Sequence, residues 1–336
     1  MGEGPLMEVL ILGGTAWLGQ VVATEALAAG HGVTCLARGS SGSVPKGARL
    51  VVADRSVPDA YSQVQNQDFD AVLDLTWQPG FAIDALQTLG TRAAHWTTLS
   101  SISAYGDQAT ISSDEQAPLL SPLEERSATI ENYGQAKVAC EVAAASLVGD
   151  RLFIVRPGLI GGRGDHTGRS GAWVTRASRS KHEPMLIPYA PTLSTQVIDV
   201  TDLAVWLVAC MEKKVTGTFN AVGPAMSFAQ WIALSRNVGG HEGPVIEVSP
   251  EWLMGHEVGQ WAGPESFALW IDDPSFKGWG TTSGAAAEAA GLTHRSRTEL
   301  LLDVLDWEQS LGADAPTGAR LSEGRERQLL TELFTS

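Results

Sequence analysis

The stretch Val-Leu-Ile-Leu-Gly-Gly-Thr-Ala-Trp-Leu-Gly, residues 9–19, joins an apolar run of strand length to a helical run through a glycine-rich turn. Gly13 permits a tight turn, the small Ala16 lets the backbone approach a diphosphate, and Gly19 lets the helix pack closely on the strand. A helix N-terminus adds free N–H groups and a partial positive charge. The turn therefore predicts a bound dinucleotide. The residues expected to contact it are Gly13, Thr15, Ala16, Trp17, Leu18 and Gly19.

The end of the second predicted strand indicates which dinucleotide binds. An acid roughly 20 residues after the glycine turn usually holds a free ribose 2′-hydroxyl. Here the run Cys-Leu-Ala-Arg-Gly-Ser, residues 35–40, contains no acid. Arg38 and Ser40 can instead bind a 2′-phosphate through charge-assisted hydrogen bonds. NADP(H) is therefore favoured over NAD(H), and a solvated surface arginine is the alternative interpretation of Arg38.

Short apolar runs alternate with amphipathic stretches over the first half of the chain. The predicted strands are Met7–Leu12, Val33–Ala37, Arg49–Ala53, Ala71–Leu75, His95–Leu99 and Leu152–Val155, and the predicted helices are Leu18–Ala29, Phe81–Leu89 and Tyr133–Val148. Strands that alternate with helices predict a parallel sheet covered on both faces. The fold class is therefore α/β, a Rossmann-type doubly wound parallel sheet with a smaller C-terminal lobe.

After Arg156 the regular alternation ends. We predict a dinucleotide-binding domain over residues 7–165 and a mainly substrate-binding lobe over residues 166–336, with some segments of the lobe returning to the sheet. Within the lobe we expect a Gly- and Arg-rich loop at 161–171, helices at 200–211, 228–236, 298–311 and 325–334, a strand at 218–222 and an irregular stretch at 249–277.

Composition limits the classes of partner. The chain has 336 residues, is 44% hydrophobic and carries a formal net charge of −15. A chain this acidic repels phosphate backbones, so we expect no nucleic-acid partner. Its only basic cluster, around residues 163–181, is too sparse for such a footprint and could hold one anionic group. No apolar run reaches the ~18 residues of a membrane span. The first residues, Met-Gly-Glu-Gly-Pro, have no basic region and no long apolar stretch, so we expect no secretory signal.

We therefore expect a cytoplasmic protein with no membrane partner. Its three cysteines, Cys35, Cys140 and Cys210, each lie in an apolar run without metal-ligand spacing, which predicts buried reduced thiols and no metal site.

A tyrosine and a lysine lie four residues apart in the run Tyr-Gly-Gln-Ala-Lys, residues 133–137. On a helix, residues with this spacing share one face. A lysine ammonium beside a phenol favours the phenolate, so the tyrosine can exchange a proton closer to neutral pH. Hydride transfer to or from a carbonyl requires such a general acid or base. Taken alone, this pair would be ordinary helix surface, but it follows the glycine turn in order.

Four motifs in this order resemble the extended short-chain dehydrogenase/reductases, the group that includes nucleotide-sugar epimerases and dehydratases. They are the glycine turn at 13–19, Ser-Ser-Ile-Ser-Ala-Tyr-Gly at 100–106, Tyr-Gly-Gln-Ala-Lys at 133–137 and the segment from Arg156-Pro157 to Asp165. The likeness is specific over residues 7–165. Ala16, Gly161 and Arg163 depart from the usual motifs.

The resemblance implies a role for each matched residue. Tyr133 would be the acid/base and would also contact the cofactor, and Lys137 would assist it and bind the nicotinamide ribose. Ser101 takes the place of the substrate-polarising Ser or Thr. Asp54 would approach the adenine. Thr76 and Trp77 replace small residues that border the cofactor, and a tryptophan there would narrow the pocket or mark a divergent branch.

Several further residues are candidates for substrate contact. These are Trp77, Ser103, Arg163 and His166. Arg163, with Arg169 and Arg176, could hold a nucleotide diphosphate or could be solvated charges. Trp173, Trp252, Trp261 and Trp270 could cover the lobe, form a dimer contact or wall an apolar substrate pocket. The helices at 81–89 and 133–148 could form a homodimer interface.

These observations lead to three functional hypotheses. The first is an NADP-dependent oxidoreductase that transfers hydride to or from a small-molecule carbonyl or alcohol through Ser101, Tyr133 and Lys137. The second is a nucleotide-sugar epimerase or dehydratase with transient hydride transfer. The dehydratases of the family that this chain resembles carry Thr-Asp-Glu where this chain has Ser-Ile-Ser at 101–103, and this difference disfavours dehydration. The third is a non-catalytic cofactor-sensing or RNA-associated protein, which the intact triad and the acidic charge oppose.

Overall fold

A seven-stranded parallel sheet forms the centre of the protein. The computed structural model describes residues 6–40 and 42–335, so Met1–Pro5, on which the prediction of no secretory signal partly rests, lie outside the described residues. The sheet strands are β1 (Glu8–Leu12), β2 (Gly32–Ala37), β3 (Arg49–Val52), β4 (Ala71–Asp74), β5 (Trp96–Leu99), β6 (Leu152–Pro157) and β11 (Gly217–Ala221). Their order across the sheet is β11-β6-β5-β4-β1-β2-β3, and every pairing is parallel.

The chain reverses its direction of travel across the sheet at β1. From β1 it proceeds outward through β2 to β3, and then β4 returns to pair with the other side of β1, with Leu12 beside Asp74. Open α/β sheets bind ligands at the carboxyl ends of strands at such a switch point. The glycine turn after β1 and Thr76 after β4 both lie there.

Helices cover both faces of the sheet because its strands are buried on both sides. The helices are α1 (Trp17–Ala28), α2 (Pro79–Leu89), α3 (Tyr133–Val148), α4 (Ala172–Arg179), α5 (Val200–Glu212), α6 (Phe228–Gly239), α7 (Pro250–Gly255), α8 (Ala285–Ala289), α9 (Arg297–Leu311) and α10 (Glu323–Thr335). On one face α1 packs on α5, and Val9 and Ile11 of β1 point into that core. On the other face α2 packs on α3 over Leu10 and Leu12. The proposed dimer through α2 and α3 stays a prediction.

A second hydrophobic core lies in the C-terminal lobe. Its short strands are β7 (Leu159–Gly161), β8 (Met185–Pro188), β9 (Ser194–Thr195), β10 (Val197–Asp199), β12 (Met226–Ser227), β13 (Val245–Val248), β14 (Gly259–Gln260) and β15 (Ser266–Phe267). Trp173 of α4, Trp231 of α6 and Leu300 of α9 are buried together in this core with Trp270. Trp173 and Trp270 are therefore cover for the lobe, one of the roles predicted for them.

The predicted fold class is confirmed, and the main differences lie in the lobe. Helix α4 and the parallel pair β8–β13 were not predicted. Residues 249–277, expected to be irregular, contain α7, which begins where the Ser249 hydroxyl accepts a hydrogen bond from the Trp252 N–H. Among the described residues, no helix combines the length and apolar character that crossing a membrane needs.

Candidate active site

The glycine turn after β1 leaves room for a ligand against its backbone. Gly13 has a φ of +103°, a conformation that glycine adopts without strain. A Cβ at position 19 would lie 2.5 Å from the Gly13 carbonyl oxygen and 2.8 Å from the Gly14 Cα. Helix α1 begins at Trp17 without a side-chain cap, so N–H groups of its first turn are open to an anion. These features fit the diphosphate of a dinucleotide.

The loop after β7 closes one side of this turn. The Trp17 indole N–H donates to the Arg163 carbonyl oxygen at 2.9 Å. The Trp17 ring meets the His166 imidazole edge-on, with centroids 5.8 Å apart. Gly164, with a φ of +92°, has no space for a Cβ beside the Trp17 ring. Trp17 therefore connects the dinucleotide turn to the predicted substrate loop, and His166 itself is exposed.

Arg38 and Ser40 follow β2 and are both exposed. Arg38 forms no ion pair with any residue in the described ranges, so its guanidinium is available to a ligand. Asp54, two residues after β3, is also exposed. Hydrogen bonds from the backbone N–H and the side chain of Ser56 lower the pKa of Asp54, and the charge of Arg38 adds a smaller effect. The ends of β2 and β3 therefore present the Arg38 guanidinium, which has no ion-pair partner among the described residues, and the Asp54 carboxylate.

Lys137 is buried between helix α3 and the carboxyl ends of β4 and β5. Its Nζ donates to the carbonyl oxygens of Thr76, at 2.9 Å, and Leu99, at 2.5 Å. These two carbonyls lie beyond β4 and at the end of β5, so one ammonium joins helix α3 to the carboxyl ends of two neighbouring strands. An ammonium has three donors, and the third remains for a ligand or the phenol.

A buried ion pair fixes the backbone that receives this lysine. The two terminal guanidinium nitrogens of Arg55 donate to the Asp74 carboxylate, at 2.7 and 2.8 Å. Asp74 Oδ1 also accepts from the Thr76 N–H at 3.1 Å. Burial is the largest single influence on the pKa of Arg55, and it lowers that pKa. The Asp74 carboxylate opposes burial, and the pKa of Arg55 is raised overall. This positioning role was not predicted, although an acid that ends a buried apolar strand was a visible signal.

Tyr133 is the first residue of α3 and lies against the end of β5. A capping box between Thr129 and Asn132 organises the turn before it. The next residue, Gly134, approaches the Ser103 carbonyl oxygen so closely that a Cβ would collide with it. Lys137 Nζ lies 5.9 Å from the centroid of the Tyr133 ring. The helix start thus brings phenol, ammonium and serine segment together.

Two of the predicted residues, Ser101 and Ser103, interact directly. The Ser101 hydroxyl donates to Ser103 Oγ at 3.1 Å and accepts from the Ser103 N–H at 3.1 Å. Ser101 is buried and follows β5 by two residues. A substrate oxygen could replace Ser103 Oγ as the acceptor of the Ser101 proton.

Aromatic side chains surround this cluster. The Trp77 ring lies 5.7 Å from that of Tyr133, which places the unusual tryptophan beside the phenol. On the lobe side, Trp279 packs against the cluster of Ile102, Tyr105 and Val222, and the centroids of the Trp261 and Trp279 rings lie 5.7 Å apart. Trp261 and Trp279 line one small cavity with Phe276, Leu269 and Ile271. Of the tryptophans proposed as a pocket wall, Trp261 fits this geometry, whereas Trp252 stacks on His256.

The arginines proposed to hold a diphosphate have different surroundings. Arg163 is exposed and pairs with Asp306 at 2.9 Å. Arg176 is buried and pairs with Glu326 of α10, so it is neither a solvated charge nor free for a ligand. Arg169 alone of the three forms no ion pair with a described residue. Its guanidinium carbon lies 5.2 Å from the Trp261 ring centroid.

Comparison with known proteins agrees with this geometry. A model of the NAD dependent epimerase/dehydratase family matches residues 9–222. The chain belongs to this family. The matched region contains the glycine turn, Ser101, Tyr133 and Lys137, so this epimerase/dehydratase-family chain carries its candidate site within the part that defines the family.

Individual relatives of this family member differ in what they do. The 2′-dehydrokanamycin reductase of Streptomyces kanamyceticus is 33% identical over 187 residues, which are 52% of this chain and 50% of that relative. The UDP-glucose 4-epimerase of Thermotoga maritima, solved with UDP-glucose, superposes with a TM-score of 0.66 at 17% identity. The alignment covers 90% of this chain and 99% of the epimerase chain. The UDP-glucuronic acid 4-epimerase of Bacillus cereus, solved with NAD, has a TM-score of 0.65 at 14% identity and covers 91% of this chain and 100% of its own. At such identities the solved structures show a shared fold.

Proposed function

We propose that this epimerase/dehydratase-family protein is an NADP-dependent oxidoreductase that transfers hydride between the nicotinamide and a small-molecule carbonyl or alcohol. The observation that carries the proposal is that Lys137 Nζ, bound to the carbonyls after β4 and at the end of β5, lies 5.9 Å from the Tyr133 ring centroid, while Gly134 packs against the segment that follows Ser101. These strands lie beside the switch point where the glycine turn offers a diphosphate site. A bound nicotinamide would supply the hydride. The chain would supply the proton, the hydrogen bond to the substrate oxygen and the cation beside the phenol.

In the reductive direction Tyr133 donates the proton that the carbonyl oxygen acquires. The Ser101 hydroxyl donates a hydrogen bond to the same oxygen, which stabilises negative charge as it develops. Lys137 Nζ keeps a cation near the Tyr133 ring, and this cation stabilises the phenolate left after proton transfer. In the oxidative direction the phenolate accepts the alcohol proton instead.

Two observations favour a reductase over a nucleotide-sugar epimerase. Arg163 and Arg176, which could have gripped a nucleotide diphosphate, are engaged by Asp306 and Glu326. In addition, the relative at 33% identity is a reductase by name. The choice of NADP over NAD rests on Arg38, whose charge is not neutralised by any described carboxylate within ion-pair distance.

Replacement of Tyr133 by Phe tests the proposal. Activity is measured as the substrate-dependent rate of change in NADPH absorbance with a library of carbonyl compounds. In the Tyr133→Phe variant this rate should fall by ~10²–10⁴-fold, the range for a lost general acid. NADPH affinity should be retained. Tyr189→Phe, which makes the same chemical change at an exposed position, is the control and should keep full activity.

Other outcomes would support other functions. Interconversion of sugar nucleotides without net cofactor oxidation would support the epimerase hypothesis. NADPH binding without turnover, unaffected by Tyr133→Phe, would support a cofactor-sensing protein.

A further inference from the structure

Arg169 is a half-buried cation in the loop after β7, beside Trp261 on the lobe side of the candidate site. Its Nε donates to Thr167 Oγ1 at 3.1 Å, and its guanidinium lies over the Trp261 ring. Thr167 is held in turn by Asp165, which is fully buried. The side chain is therefore anchored from two sides, by a hydroxyl and by an aromatic ring.

Within residues 6–40 and 42–335, no carboxylate lies within ion-pair distance of this guanidinium. Asp165, although near, has both oxygens engaged by Thr167 and Ser170, and it forms no ion pair with Arg169. Burial lowers the pKa of Arg169, and the charge of Asp165 opposes this effect. The guanidinium is linked to the serine segment through Trp261, whose ring meets Trp279, and Trp279 packs on the cluster of Ile102, Tyr105 and Val222. A desolvated cation without a partner is costly, so an anion entering the cleft would gain a strong contact here.

Other arginines of the lobe show the contrast. Arg179, the last residue of α4, pairs with Glu323 at 2.8 Å, and Arg320 pairs with Glu308 at 2.9 Å. Both arginines form ion pairs that hold parts of the folded lobe together. The Arg169 side chain makes one hydrogen bond within the described structure, through Nε, and its terminal nitrogens keep their donors.

We propose that Arg169 is the anion-recognition residue of the substrate pocket and that the substrate carries a carboxylate or phosphate group on the same molecule as the reacting carbonyl. The inference rests on the proposed function, in which Tyr133 faces that carbonyl. The aromatic rings of Trp261 and Trp279 would contact the carbon skeleton between the two groups. Because the chain as a whole is strongly acidic, such a substrate needs a local cation to bind.

The test uses three ketones of one skeleton: 4-acetylbenzoate, 4-acetylphenyl phosphate and the neutral 4-acetylbenzamide. Calorimetric titration is run on the full-length protein alone and on the protein saturated with NADP⁺, which cannot reduce a ketone. At least one anionic ketone should bind ~10-fold or more tightly than the amide, the scale of a charge-assisted hydrogen bond. The tighter of the two identifies the anion.

Variants then assign the effect to the side chain. Arg169→Gln should abolish the preference for the anion and leave amide binding unchanged, whereas Arg169→Lys should keep part of it. Arg179→Gln, which removes an ion-paired arginine of the same lobe, should change neither. Melting temperatures confirm that each variant is folded.

Three results would overturn the inference: no preference for either anion in the wild type, an equal loss for anion and amide in Arg169→Gln, or weakened NADP⁺ binding in that variant. The last would assign Arg169 to the cofactor's phosphates. Selective anion binding without NADPH oxidation by any ketone would instead keep Arg169 as an anion site and refute the proposed reductase activity. The two proposals therefore fail separately.

Discussion

Lys137 Nζ lies 2.9 Å from the Thr76 carbonyl oxygen, and this contact joins helix α3 to the segment after β4. The Thr76 N–H is bound in turn by Asp74, whose carboxylate is held by Arg55. The ammonium is thus positioned by a carbonyl that is itself fixed by a buried ion pair. Removal of that pair should disturb the site without touching a catalytic group.

Asp74→Ala should destabilise the protein by about 3–5 kcal/mol, because it leaves the Arg55 guanidinium buried without its partner. Urea denaturation measures this loss. The double variant Arg55→Met with Asp74→Leu, which removes both charges, should lose less than the single variant. Equal stability of wild type and Asp74→Ala would contradict the assigned role.

Gly19→Ala should weaken cofactor binding by ~10-fold or more. The added methyl would meet the Gly13 carbonyl and the Gly14 Cα, so α1 must move away from the turn that is proposed to bind the diphosphate. Fluorescence titration with NADPH measures the affinity. Ala16→Gly is the matched control, because it restores the more common motif, and it should bind NADPH at least as tightly as the wild type.

The sheet could be predicted because its signals are local. Val9–Leu12 is continuously apolar as a strand buried on both faces must be, and the helix predicted at Tyr133–Val148 has the same bounds in the structure. The grouping of Ser101, Tyr133 and Lys137 was implied by the resemblance of their motifs to the extended short-chain dehydrogenase/reductases, and their joint role stays a prediction. These features need no knowledge of distant contacts.

The lobe could not be predicted in the same way because its interactions are remote in sequence. Arg176 and Glu326 are 150 positions apart, and nothing local distinguishes this paired arginine from the unpaired Arg169. Likewise β8 acquires its strand partner only from β13, which follows some way along the chain. Pairing of this kind depends on tertiary packing rather than on periodicity.

Arg38→Ala should shift cofactor preference from NADP towards NAD. Loss of a charge-assisted contact to the 2′-phosphate should raise KM for NADPH by roughly 10–100-fold, from the typical 1.5–3 kcal/mol of such a bond. KM for NADH, which lacks that phosphate, should stay within about twofold. Steady-state kinetics with both cofactors measure the ratio. An equal change for both cofactors would show that Arg38 does not distinguish them.

Stability should fall as the pH drops below about 6.5, in part because of His95. This imidazole is fully buried beside Phe153, and one ring nitrogen lies 2.7 Å from the Val215 carbonyl oxygen. Burial lowers the pKa of His95 from its ordinary 6.5, against a smaller opposing effect of that hydrogen bond. Below pH 6.5 the His95 imidazole of the unfolded chain therefore binds a proton that it does not bind in the folded protein, and the free energy of unfolding decreases.

His95→Gln keeps a donor for Val215 and removes the titrating group. Urea denaturation at pH 7.5 and 5.5 should show a loss of stability on acidification that is smaller in the variant by up to about 1 kcal/mol. Burial also lowers the pKa of His241 and His294, so a residual pH dependence should remain in both proteins. The same slope in wild type and variant would mean that His95 takes up its proton in the folded state as readily as in the unfolded chain.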